Sequence, residues 1–312
     1  MARKIIIDCD PGHDDALAIM LAAGNPEIEL LAITTVGGNQ ILEKVTRNAL
    51  AVATVAGIDV PIAAGARHPL VRPVLIAPEI HGESGLDGPV LPEPKVRLQD
   101  GHAVQLIIDT IMRHSEGEVT LVPTGPLTNI ALAARIEPRI VERVAEVILM
   151  GGGYTRGNTT PSAEFNIVAD PEAAEAVFQA GWRKITMVGL DVTHLALATP
   201  DVVARIGAID SPLAHFVVDI LGFFGRTYKE QQGFDFPPVH DPVTVAALID
   251  SSIMPTRSAF VTVETQGRWT TGETVVDFAQ LLAQPHNAQV GVGLDAEKFW
   301  NLIIDAIHVL SR

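Results

Sequence analysis

One cysteine, Cys9, stands in a chain of 312 residues, which excludes an internal disulfide framework and any metal site built from several thiolates. Cationic residues are scarce as well: 22 Lys and Arg face 37 Asp and Glu, a net charge of -15, and no basic block offsets it. That balance disfavours binding to a nucleic-acid backbone or an anionic lipid surface, though not to a small ligand that contains a nucleobase. No apolar run is long enough to span a bilayer, and the opening MARKIII reaches Asp8 too soon for a signal-peptide apolar region. The expected setting is therefore soluble and cytoplasmic. A hydrophobic fraction of 47% and a mean hydropathy of +0.28 suit a well-packed globular enzyme and argue against disorder.

Negative charge is gathered where it is least expected. In IIIDCDPGHDDA, residues 5–16, four aspartates (Asp8, Asp10, Asp14 and Asp15) follow an apolar run directly. Crowded carboxylates repel one another, so a cation or a ligand is needed to justify the set. Aspartate oxygens suit a hard cation, calcium or magnesium, better than zinc. An EF-hand is excluded, because counting from Asp8 puts Ile19 where the bidentate glutamate is due. A phosphohydrolase of the D-x-D type would use Asp8 as nucleophile, with magnesium. Gly12 stands where that pattern has Thr or Val, and it gives Asp14 and Asp15 no task. A plain helix start, with a turn at Pro11-Gly12, accounts for Asp14 and Asp15 but not for Asp8 and Asp10.

Along the chain, KIIID, ELLAITTV, EVTLVPT, AEVILMGG and KITMVGLD read as strands. Residues 13–24, 40–57, 102–115, 126–143 and 171–181 read as helices between them. This alternation predicts an α/β fold, an open and mostly parallel sheet with helices on both faces. Ligands in such folds sit at the carboxyl ends of the strands. The polar clusters at 8–15, 37–40, 124–129 and 151–154 each follow a predicted strand, which points to one shared site. Residues 65–101 are rich in Pro and Gly and read as a long ordered loop or small subdomain rather than a linker. Residues 211–240 begin as a helix and end in QQGFDFPPVHDP, suited to a mobile flap around 222–239. A single domain over 1–312 is expected.

DCDPGHDDALAIMLA resembles the N-terminal signature of the inosine-uridine-preferring nucleoside hydrolases, and further marks follow in the family's order: TTVGGNQ, HGESGLDGP, VPTGPLTNIA, LMGGGY, PSAEFNIVADPEAA and PVHDP. VGVGLDAEKFWNLIIDAI near the C-terminus also fits, so the resemblance covers nearly the whole chain. It implies a Rossmann-like nucleoside hydrolase fold, a tightly held Ca2+ ion, and hydrolysis of the N-glycosidic bond of ribonucleosides to ribose and free base. By the same resemblance Asp10, Asp15, Asp241 and the Thr124 carbonyl would hold the calcium, with Asp10 also the general base toward a calcium-bound water. Asp14, Asn39, Glu164 and Asn166 would hold the ribose hydroxyls, Met150 would pack near the sugar, and Phe165 would line the pocket. His81 and His240 would face the nucleobase. Dimers and tetramers are usual in the family, so a homo-oligomer is expected, with a small-molecule ribonucleoside as partner and neither nucleic-acid polymer nor membrane.

Those residue types suit the chemistry. Cleavage of a riboside builds positive charge on the sugar, which a negative pocket stabilises more than it does the neutral substrate. A divalent ion can order water and two cis hydroxyls together, and a neighbouring carboxylate can remove the water proton. In EFN, extended backbone would aim Glu164 and Asn166 to one side and Phe165 to the other. Asn39 in GGN is also ordinary turn chemistry, and Asp241 before Pro242 could simply cap a helix. His240 could protonate the leaving base; His81 is a second candidate, and His13 has a structural reading equal to a catalytic one. Gly151–Gly153 lacks the G-x-G-x-x-G spacing of a dinucleotide cradle. In the flap, Tyr228 could stack on or bond to a base, and Arg226, Gln231 or Gln232 could read its edge. The HGESGLDG loop leans toward pyrimidine-preferring or mixed specificity, whereas Gln232 departs from the tyrosine that pyrimidine-preferring members often carry. A non-catalytic nucleoside-binding protein is the other rival to the hydrolase.

Overall fold

The first strand, β1 (Arg3–Cys9), sends Ile5, Ile7 and Cys9 into one apolar cluster and Ile6 into another, all fully buried. Alternate side chains of a strand face opposite ways, so apolar residues on both faces mark a strand covered on both sides. The computed structural model describes residues 2–312. After β1 come α1 (His13–Gly24), β2 (Ile28–Thr35), α2 (Leu42–Ala56), β3 (Ile62–Ala64), α3 (Pro78–His81), α4 (Ala103–Arg113) and β4 (Val119–Pro123). Then follow α5 (Thr128–Ile136), α6 (Arg139–Arg143), β5 (Glu146–Met150), α7 (Phe165–Ala169), α8 (Pro171–Phe178), β6 (Ile185–Val188), α9 (Leu190–Thr193) and α10 (Pro200–Gly207). The remainder is α11 (Pro212–Gln232), α12 (Pro242–Ile249), β7 (Thr256–Val263), β8 (Thr274–Asp277), β9 (Ala288–Gly291) and α13 (Ala296–Leu310).

The strands form one sheet of nine in the order β3-β2-β1-β4-β5-β6-β9-β7-β8, in which only β7 runs antiparallel to the rest. The chain winds outward from β1 through β2 to β3, then returns to place β4 on the other flank of β1. Between β1 and β4 the winding reverses, and such a switch point opens a crevice at the carboxyl ends of the strands. On one face lie α1, α2 and α10–α13; on the other lie α4, α5 and α8. The expected α/β fold, with helices on both faces of a mostly parallel sheet, is the one observed. Among the described residues no helix is long and apolar enough to cross a membrane.

Several expected elements take a different extent. The helix read over 126–143 is two, α5 and α6, because Pro138 disfavours helical backbone at Glu137, whose φ and ψ are -131° and 82°. Residues 222–232 of the expected flap continue α11 without a break, and Gly233, with φ 73°, ends the helix. Only 233–239 of that segment is loop, tied down by an isolated bridge between Leu197 and Pro238.

Candidate active site

The crevice holds a cavity of about 240 Å³ whose lining includes Asp14, Asn39, His81, Thr124, Met150, Glu164, Phe165, Asn166, Tyr228, His240 and Asp241. These residues come from just beyond or at the ends of parallel strands β2, β4 and β5, from the first turns of α1 and α7, and from α3, α11 and the segment before α12. The coarse rule that sites gather at strand carboxyl ends holds in detail. Asp10 and Asp15 lie just below the floor and are fully buried.

Single ligand oxygens of Asp14, Asp15 and Asp241 lie within 4.8 Å of one another. Asp10 stands beside this set rather than within it, because the Asn39 N–H draws its Oδ2 aside at 2.6 Å. Its Oδ1 has no hydrogen-bond partner, and it packs so close to Gly125 that a Cβ there would collide with it. Asp15 accepts from the Gly12 N–H at 2.9 Å and from the Thr124 hydroxyl at 2.8 Å, so it braces the first turn of α1 while facing the cluster. Asp241 precedes Pro242 at the start of α12, yet its carboxylate makes no capping bond. The simple helix-cap reading of Asp241 is therefore insufficient.

Burial drives all these carboxyls above their ordinary range. Asp10 is pushed well up by burial and then by Asp15, and Asp241 well up by burial and then by Asp14. Asp14 is raised to about 7 by burial and Asp15, and Asp15 is raised by burial. No Lys or Arg lines the cavity. Oxygen-only donors, mutual repulsion and an unpartnered Asp10 Oδ1 together fit a hard divalent cation, which would remove the repulsion.

One side of the cavity is assembled at the start of α7. Glu164 caps this helix, accepting from the N–H groups of Asn166 (2.9 Å) and Ile167 (3.2 Å) and also from Gly152 (2.9 Å). Burial still raises its carboxyl to about 7. The expectation of strand-like alternation over EFN is corrected: the first turn of a helix, not extended backbone, brings Glu164, Phe165 and Asn166 all to the cavity. The Asn166 amide donates to the Thr124 carbonyl at 2.8 Å and to the Met150 carbonyl at 3.2 Å, tying the β4 and β5 ends together.

At the other end, Tyr228 Oη lies 2.7 Å from His240 Nε2, and Thr193 Oγ1 lies 2.7 Å from His240 Nδ1. His81 packs against Phe224, with its Nδ1 3.1 Å from His13 Nδ1. His13 does not line the cavity; its ring stacks on Phe223 and Phe224 and its Nε2 meets the Asp87 carbonyl at 2.8 Å. That arrangement favours the structural reading. Gln231 and Gln232 line the cavity, whereas Arg226 does not. Asp8 also lies outside the lining: Thr34 and Asn129 donate to its Oδ1 at 2.6 and 2.8 Å, a poor setting for a nucleophile.

Two residues escape the sequence reading. Asn158 lines the cavity and accepts the Phe165 N–H at 2.9 Å, and Thr193 orients His240. Asn158 sits in GNTT, a composition that marks turns everywhere, so only its proximity to EFN could have singled it out.

The family described as inosine-uridine preferring nucleoside hydrolase matches residues 5–301. The chain is 55% identical to an inosine-uridine preferring nucleoside hydrolase from Crithidia fasciculata, over 99% of this chain and 98% of that one. Identity to a pyrimidine-specific ribonucleoside hydrolase of Escherichia coli is 46%, over 98% and 97% of the two chains. A solved structure of a purine-preferring ribonucleoside hydrolase from Gardnerella vaginalis superposes with a TM-score of 0.92 at 33% identity, covering 99% of each chain. With its crevice, its buried acids and these likenesses, the chain belongs to the inosine-uridine preferring nucleoside hydrolase family and is an enzyme.

Proposed function

We propose that the protein is a calcium-dependent ribonucleoside hydrolase of mixed base preference, accepting inosine and uridine, which releases ribose and free base. The observation that carries this reading is the convergence of Asp10, Asp14, Asp15 and Asp241, all buried, beside a cavity with a glutamate and two asparagines on its sugar side. Asp10, Asp15, Asp241 and the Thr124 carbonyl are the residues that would hold the cation, with Asp14 near enough to share it. Bound there, calcium supplies a site that orders water and the two cis hydroxyls of the sugar.

The chain's own groups do the rest. Asp10 takes the proton of the attacking water, its Oδ1 being uncommitted to any protein donor. Asp14, Asn39, Glu164 and Asn166 fix the ribose hydroxyls, and Met150 and Phe165 pack against the sugar. The surrounding negative charge stabilises the cationic, oxocarbenium-like sugar as the glycosidic bond breaks. The departing base takes the Tyr228 hydroxyl proton, with His240 holding that hydroxyl in place and His81 forming the facing wall. Solvent then returns a proton to Tyr228 as Asp10 releases the one it took from water. Likeness to relatives named for inosine and uridine supports the mixed preference.

Ribose release from inosine, uridine, cytidine and adenosine, with and without a calcium chelator and beside a phosphate-ester control, tests the reading. Release that falls as calcium is stripped is expected. Calcium-dependent binding without release, or phosphate release alone, would overturn it.

A further inference from the structure

Two motifs, TGPLTN and ADPEAA, carry residues that the cavity does not use. Asn129 and Asp170 are fully buried, and neither they nor Glu172 line the cavity. Each also has a partner on one short stretch, residues 66–72, which leads into the cavity wall. Asn129 Oδ1 accepts the Ala66 N–H at 2.9 Å, while its Nδ2 donates to the Thr35 carbonyl at 3.0 Å. A Cβ at position 65 would run into the Asn129 side chain, so Gly65 permits this approach. Asp170 Oδ2 accepts the Leu70 N–H at 2.9 Å and the Thr128 hydroxyl at 2.6 Å. Glu172 receives Arg72 as a fork, Nε at 3.0 Å and Nη2 at 2.7 Å, and the same Nη2 donates to the Thr265 carbonyl at 2.6 Å. Paired, charge-assisted bonds of this kind fix direction as well as distance.

Beyond Arg72 the wall contributes Leu75, Ile76, Ala77, Ile80 and His81 to the cavity. Its next backbone hold is the Ala77 N–H on the Asn39 carbonyl at 3.0 Å; among the described residues, none is made by 73–76. The placement of 73–76 therefore depends on what grips the stem before it.

We propose that Asn129, Asp170 and the Arg72–Glu172 pair are positioning residues that clamp the stem at 66–72 and so hold the cavity wall at 73–81 ready for the nucleoside. This rests on the reading of the cavity as the nucleoside site. With one grip removed, the wall must be re-ordered on each binding event. The expected effect is a KM raised about fivefold or more, the factor for re-ordering roughly one backbone residue, with little change in kcat.

Steady-state ribose release is compared for the wild type, Arg72→Ala, Glu172→Gln, their double variant and Asp170→Asn, together with amide hydrogen exchange over 73–81 and over α13. The Arg72–Glu172 pair is half-exposed, so its variants keep the test alive if Asp170→Asn fails to fold. The clamp requires the same KM rise in both single variants, no further rise in the double, and faster exchange confined to 73–81. An unchanged KM, unchanged exchange, or exchange that quickens in α13 as well would overturn it. Should the wild type release no ribose, the nucleoside reading fails separately, and the exchange comparison alone decides the clamp.

Discussion

Tyr228 Oη lies 2.7 Å from His240 Nε2, while Thr193 Oγ1 occupies the Nδ1 side at the same distance. Both imidazole nitrogens are engaged within the protein, and both Tyr228 and His240 line the cavity.

If the two act as a unit, Tyr228→Phe and His240→Ala should each lower kcat on natural nucleosides by about 10²-fold, the usual scale for lost proton transfer. The double variant should then be little worse than either single one. A riboside whose leaving group departs without protonation, such as 4-nitrophenyl riboside, should be largely spared. Additive losses in the double variant would separate the residues.

Removing acids from the floor should divide cation binding from sugar binding. Asp10→Ala is expected to abolish turnover, and Asp241→Asn to weaken calcium binding by at least about tenfold in calorimetry, since one charged oxygen ligand is lost. Asn166→Ala should chiefly raise KM. Wild-type turnover in Asp10→Ala would refute its assignment as base.

Glu164 gives a pH dependence with a definite sign. Burial holds its carboxyl up to about 7, so below that pH it is protonated and above it an ionised acceptor for a ribose hydroxyl. Nucleoside binding by the cation-free protein should tighten as pH rises through about 7. Asp14, also raised to about 7, adds to the same limb. Glu164→Gln should therefore shrink it, and the double variant with Asp14→Asn should flatten it in a binding titration. An unchanged limb in the double variant would move its origin elsewhere.

His13 should matter to folding rather than to chemistry. Its ring fills the stack with Phe223 and Phe224 and satisfies the Asp87 carbonyl. His13→Ala is expected to lose roughly 2–4 kcal/mol of stability, a cavity together with an orphaned carbonyl, measured by denaturant unfolding. A loss below about 1 kcal/mol would contradict the packing role.

Much of the site was legible because its residues follow apolar runs. Ile5–Ile7 announces a buried strand, and the acids after it can only stand at that strand's end. The same logic pointed to the clusters 37–40, 124–129 and 151–154, whereas Asn39, Thr124 and Met150 were named by the family resemblance. Glu164–Asn166 does line the cavity but on a different backbone from the expected one, since three residues cannot tell a strand from the first turn of a helix. β3, β7, β8 and β9 were not read: each is short or half-exposed, and their pairing joins segments distant in sequence. The helix end at Gln232 was obscured by Gly222, Gly225 and two phenylalanines, which read as loop until α11 packs them.

Every residue of α1 except Ala23 is buried. The acids at its head therefore belong to the most constrained helix of the molecule, where a drifting side chain disturbs packing on all sides. Gln231, Gln232 and Glu79 border the same cavity from the partly exposed end of α11 and from α3, where substitution is far cheaper. The α11 and α3 border of the cavity is thus open to change that the acids beneath it are not.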